Sequence, residues 1–137
     1  MHEIKKIFHL AYGHRLQNHG GKCRNLHGHN GLVEVTLAAA RLNSGGMVMD
    51  FSELGGRVSA WLEANIDHKV ILAASDPLAE VLEKQGQACF LTAGAPTAET
   101  LAKIIFDACA GELSLPVREV AFWETPSARA SYRAGGR

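Results

Sequence analysis

Two stretches of alternating residues near the amino terminus restrict the fold most. In "EIKKIFHLAYGHRL", Glu3 to Leu16, the residues Ile4, Phe8, Leu10 and Tyr12 hold even positions. In "NGLVEVTLAAARL", Asn30 to Leu42, Val33, Val35 and Leu37 alternate with Glu34 and Thr36. A period of two is that of a strand with one buried face, so both segments are predicted as strands. The intervening "QNHGGK" is rich in turn formers and makes a long hairpin the simplest pairing. "NSGG", Asn43 to Gly46, ends the second strand in a turn.

The period then changes. From an N-cap at Asp50 or Ser52 to about Asn65, Leu54, Val58, Trp61 and Leu62 recur at helical spacing. "PTAETLAKIIFDACAGEL" predicts a second helix, with Thr97 as N-cap and Leu101, Ile104, Ile105 and Ala108 as its apolar stripe. Between them, a short helix is expected near Pro77 to Lys84 and a short strand near Ala88 to Leu91. "VREVAFWET" alternates again, and "ARASYRAGGR" reads as a short edge strand followed by a loose tail. Strands at both ends with helices between them favour an α+β layer, an antiparallel sheet with two helices on one face. Nothing divides residues 1–137 into more than a single domain.

A chain of 137 residues buries on the order of two-thirds of its unfolded surface, so it needs no metal or disulfide to have a core. Its 14 basic and 14 acidic side chains balance, which argues against a nucleic-acid or membrane surface. No run approaches the roughly 20 apolar residues of a membrane span. Cys23, Cys89 and Cys109 are odd in number and irregularly spaced, and "MHEIKKIFHL" lacks a secretory apolar run. A reducing cytoplasm is the expected location.

The chemistry gathers in "KCRNLHGHN", Lys22 to Asn30. In an extended strand His27 and His29 project from one face with only Gly28 between them. Pairing across the hairpin brings His14 to the same place, and three neutral imidazoles make a zinc site with a fourth position free. His2, His9 and His19 are read as surface residues, His9 having the opposite parity to His14. Cys23 has two readings: a fourth ligand that closes a structural site, or a thiolate held off the metal. The first makes the chain a zinc-stabilised binding module, and the second makes it an enzyme. Asp67 and His68 in "NIDHK" form a candidate proton-transfer couple, and Glu124 in "FWETP" is an acid at the end of an apolar strand.

Taken together, "YGHRL", "CRNLHGHN", "GGMVMDFSEL", "DHK", "PTAETLA" and "VAFWETPSARASY" resemble the family of 6-pyruvoyl- and 6-carboxy-tetrahydropterin synthases over nearly the whole chain. The resemblance implies a tunnelling fold whose subunits join edge to edge into a barrel, a hexamer or tetramer with active sites at subunit boundaries. It implies zinc on His14, His27 and His29, with Cys23 as a proton acceptor rather than a ligand. It further implies His68 with Asp67 as a charge-relay couple and Glu124 as the anchor of a pterin ring. Thr97, Arg15, Lys22 and Arg24 are candidate substrate contacts, the last three to phosphate. The implied substrate is 7,8-dihydroneopterin triphosphate. The 6-carboxy branch, on the route to deazapurine nucleosides such as queuosine, is favoured by the compact Cys-to-HGH loop. The pyruvoyl branch, or another dihydropterin side-chain lyase or aldolase, is the alternative.

Three positions depart from the family pattern: Gly31 where an aromatic often follows H-G-H-N, Leu72 in place of Asn, and Thr100 where Asn is frequent. They bear on the substrate side chain and the product, not on the metal and acid-base residues.

Overall fold

The structure is a computed structural model and describes residues 1–135; the last two positions of the expected tail lie outside the described residues. Strand β1 (His2–His14) runs antiparallel to β2 (His27–Ala39), in an unbroken register from His2 opposite Ala39 to His14 opposite His27. The even residues of β1 and the odd residues of β2 therefore share one face, as the alternation predicts. A short 3-10 turn, Lys22–Arg24, lies in the connection.

Helix α1 (Phe51–Asn65) begins at Asp50, whose carboxylate accepts from the backbone N–H groups of Ser52 and Glu53. Helix α3 (Ala98–Ala110) begins at Thr97, whose hydroxyl accepts from Thr100 N–H. Such caps satisfy donors that the first helical turn leaves orphaned. Leu54, Val58 and Leu62 of α1 and Leu101 and Ile105 of α3 meet Phe8, Leu10, Val33, Val35, Val120 and Phe122 in one apolar cluster. These two helices cover one sheet face, as expected.

The remaining elements correct the sequence reading. Residues Lys69–Ala73 form β3, which alternation did not predict, and it runs parallel to β1. Helix α2 (Leu78–Lys84) then leads to β4 (Cys89–Thr92), parallel to β3. With β5 (Val117–Thr125) and β6 (Ala128–Arg133) antiparallel on the other side, the sheet has six strands in the order β4-β3-β1-β2-β5-β6. It is mixed rather than wholly antiparallel, and three helices accompany it. "KVILA" is a short continuous apolar run, which buried strands and helix segments share. Leu72, at the family's Asn position, is fully buried in β3.

The carboxyl ends of β1, β3 and β4 lie side by side. Arg15, Ser75, Asp76, Gly94 and Pro96 line a cavity of about 290 Å³ there. Asp76 is buried, accepts two hydrogen bonds from the Arg15 guanidinium, and also accepts from Leu78 N–H at the start of α2. This pair ties the residue after His14 to the β3–α2 connection.

Candidate metal centre

The hairpin register sets the centre. His14 lies directly opposite His27, and Tyr12 lies opposite His29, so the three imidazoles occupy adjacent rows of the helix-covered face. One nitrogen from each ring falls within 4.8 Å of the other two. The Nε2 atoms of His14 and His29 are 3.2 Å apart.

Backbone carbonyls fix the tautomers. Pro96 O accepts from His14 Nδ1 at 2.9 Å, and Asn25 O accepts from His27 Nδ1 at 2.7 Å. A carbonyl only accepts, so each Nδ1 carries the hydrogen and each Nε2 presents a bare lone pair. Burial pushes the pKa of His14 and of His29 below the ordinary imidazole value, outweighing the nearby Glu124 carboxylate, which acts the other way. Burial thus favours the neutral form of the His14 and His29 rings, the form a metal requires.

Glu124 of β5 lies outside the mutual cluster of the three histidines but flanks two of its rings. Its Oε1 is 3.4 Å from His14 Nε2 and 3.7 Å from His29 Nε2. The bare Nε2 of His14 faces this carboxylate oxygen, an arrangement that a shared cation would stabilise, so the donor set fits a bound metal ion. An imidazole-rich, partly carboxylate set is suited to zinc and to other divalent transition metals.

Cys23 sits half-buried on the 3-10 turn with a free thiol. Among the described residues it does not join the mutual cluster of the three histidines. The closed shell of one cysteine and three histidines is thus not assembled here.

Asp67 and His68 are joined, with Nδ1 of His68 3.0 Å from Asp67 Oδ1. The couple grips β1: Asp67 Oδ1 also accepts from Ala11 N–H at 2.9 Å, while His68 N–H donates to Ala11 O at 2.7 Å. Burial raises the Asp67 carboxyl, but the hydrogen bonds from Ala11 and His68 outweigh it, and the net pKa lies below the usual value. His68 adopts a left-handed backbone, φ 60°, which is uncommon for a residue with a side chain. Its imidazole is 82% exposed and borders an open groove of about 520 Å³ whose lining includes Gly13, Leu26, His27, His29 and Lys69.

The remaining candidates are distributed around this centre. Thr97 is half-buried and committed to capping α3, next to the Pro96 carbonyl that orients His14. The Arg15 fork is occupied by Asp76, whereas Lys22 and Arg24 are exposed on the turn that carries Cys23.

Tyr12 was not singled out by sequence reasoning. Its hydroxyl is buried without a hydrogen-bond partner among the described residues, and its ring packs 5.2 Å from His14 and 5.5 Å from His29, between centroids. A Cβ on Gly31 would fall 3.1 Å from the Tyr12 ring, so Gly31 leaves the space this ring fills. The even series running from Phe8 through Tyr12 to His14 was the signal available for it. The Pro96 carbonyl had none, because its role depends on a contact 82 residues away.

Residues 3–135 match the sequence family described as 6-pyruvoyl tetrahydropterin synthase. The chain is 33% identical to a 6-carboxy-5,6,7,8-tetrahydropterin synthase of Aquifex aeolicus, covering 96% of this chain and 97% of that protein. A protein of the same name from Haemophilus influenzae is 31% identical, with 97% and 99% covered. Among solved structures, an uncharacterized protein from Wolinella succinogenes superposes with a TM-score of 0.80 at 25% identity, covering 98% of each chain. The Caenorhabditis elegans 6-pyruvoyl tetrahydropterin synthase shares the fold, with a TM-score of 0.73 at 24% identity over 97% of this chain and 95% of that one.

Proposed function

The chain belongs to the 6-pyruvoyl tetrahydropterin synthase family, and on that premise we propose that it is a zinc-dependent lyase of the 6-carboxy type. In this reading it converts 7,8-dihydroneopterin triphosphate and one water to 6-carboxy-5,6,7,8-tetrahydropterin, acetaldehyde and triphosphate. The observation that carries the proposal is the convergence of three imidazoles, two of them oriented by backbone carbonyls, beside the carboxylate of Glu124. The names of the Aquifex and Haemophilus relatives support the choice of branch.

His14, His27 and His29 would hold the metal. A zinc ion bound there supplies Lewis acidity, stabilising negative charge that develops on the substrate side chain. Glu124, 31% exposed on one flank of the cluster, accepts from the N–H groups of the pterin ring and fixes its orientation. Cys23 acts as the thiolate base toward the side-chain carbons. His68 exchanges the second proton: Asp67 occupies its Nδ1 and leaves Nε2 for the substrate. Thr97, Arg15, Lys22 and Arg24 are the proposed contacts to the rest of the substrate.

His68 opens to the groove rather than to the Glu124 side of the cluster. We therefore place the working site at a boundary between protomers of a homo-oligomer, a hexamer or tetramer, in the cytoplasm. Among the described residues no helix is long and apolar enough to cross a membrane. Incubation of the metal-loaded protein with dihydroneopterin triphosphate, followed by mass analysis, tests the proposal. The 6-carboxy product is expected; finding neither a carboxy- nor a pyruvoyl-pterin overturns the assignment.

A further inference from the structure

We propose that Glu124 is the fourth metal donor of the substrate-free protein, so that the centre rests closed and opens when a ligand draws the carboxylate away. The inference rests on the reading above that a metal sits among His14, His27 and His29. It gives Glu124 a second role, before any pterin arrives.

The distances carry it. Donors 2.0–2.1 Å from a tetrahedral metal lie about 3.3–3.4 Å from one another. His14 Nε2 to His29 Nε2 is 3.2 Å, His14 Nε2 to Glu124 Oε1 is 3.4 Å, and His29 Nε2 to Glu124 Oε1 is 3.7 Å. These are the three edges of one face of a coordination tetrahedron, and the carboxylate forms two of them; His27, with a ring nitrogen within 4.8 Å of those of the other two histidines, would stand at the remaining vertex. Because His14 Nδ1 carries its hydrogen, His14 Nε2 has no proton to offer Glu124 in the neutral ring. A cation shared between them would make the 3.4 Å approach favourable.

The backbone at Glu124 is suited to such a gate. Trp123 pairs with Arg129 and Thr125 with Ala128, which leaves Glu124 as the extra residue of a bulge in the β5–β6 ladder. The β2–β5 ladder reaches only Trp123, opposite Leu32. A bulge re-aims its side chain and leaves it outside the regular pairing, so the carboxylate can turn without breaking the sheet. At 31% exposure its outer side remains open to an approaching ligand.

The test uses the substrate-free protein. Zn²⁺ affinity is measured by competition with a chromophoric chelator for wild type, Glu124→Gln and Glu124→Ala, and the visible absorption of each Co²⁺-loaded form is recorded. We expect Glu124→Ala to weaken Zn²⁺ binding at least about tenfold, the lower end of what even an outer-shell partner costs, and to change the Co²⁺ bands. Zn²⁺ affinities within twofold together with superimposable Co²⁺ spectra overturn the proposal. Adding 7,8-dihydroneopterin to the Co²⁺ wild type should move its spectrum toward that of Glu124→Ala; an unchanged spectrum with the pterin bound, established by fluorescence, overturns the gate. Circular dichroism verifies that each variant is folded. Weakened metal binding in a protein that does not turn over dihydroneopterin triphosphate sinks the proposed reaction and leaves this inference standing; turnover with unaltered metal affinity does the reverse.

Discussion

His14 and His68 are both imidazoles with a partner on Nδ1, yet they are built in opposite ways. His14 is 1% exposed, set by the hairpin register and held by the Pro96 carbonyl at the start of α3. His68 is 82% exposed, on a left-handed residue, held by its neighbour Asp67. The first belongs to a centre that one chain assembles by itself. The second faces an open groove. Rigid placement suits a metal ligand, whereas an accessible ring suits proton exchange with a substrate bound between surfaces.

Breaking the buried side should produce the largest effect. His14→Ala is expected to lower Zn²⁺ affinity by several orders of magnitude and to abolish turnover, as read by metal titration and product assay. The exposed side should separate from it. His68→Ala, and likewise Cys23→Ala, is expected to retain Zn²⁺ while kcat falls about 10²–10⁴-fold, the usual contribution of a proton-transfer group. Loss of metal from Cys23→Ala would instead place sulfur on the ion and revive the binding-module reading.

A smaller effect tests the scaffold beside His14. Asp76→Asn is expected to cost about 1.5–3 kcal/mol at pH 7, the range for a hydrogen bond to a charged group, measured by urea unfolding. The Arg15 hydrogen bond holds the Asp76 carboxyl below its ordinary value of 3.8. A depressed folded-state pKa contributes stability that is fully present above the unfolded value and lost as pH falls through the folded one. The gap between wild type and variant should therefore close as pH drops below about 4. The smallest effect is expected for Tyr12→Phe. Removing an orphaned buried hydroxyl should leave stability unchanged or raise it by up to about 1 kcal/mol, with Zn²⁺ affinity intact.

The buried side was the legible one. Alternation in β1 and β2 put Phe8, Tyr12 and His14 on one face with His27 and His29, because side-chain direction in a strand is a local property. Asp50 and Thr97 were legible as caps for the same reason. What escaped was non-local. Strand β3 is an apolar run whose parallel partner lies more than 50 residues away, and no turn chemistry marks such a pairing. Asp76 could be matched to Arg15, and Pro96 to His14, only once β3 and β4 had aligned their carboxyl ends beside that of β1. Glu124 was identified as a strand-end acid; its approach to the histidines depends on the β5 register and the bulge.

The continuous pairing from His2 with Ala39 to His14 with His27 also acts as a ruler. Adding or deleting one residue within β1, between the core positions and His14, would turn that imidazole to the opposite face of the sheet. The same change in residues 17–21, beyond the Arg15 contact to Asp76, would alter chiefly the length of the excursion between two fixed ends. Indels should therefore be tolerated very unevenly along this hairpin: length can vary in the excursion, while the count of residues along each strand is held constant by the site it carries.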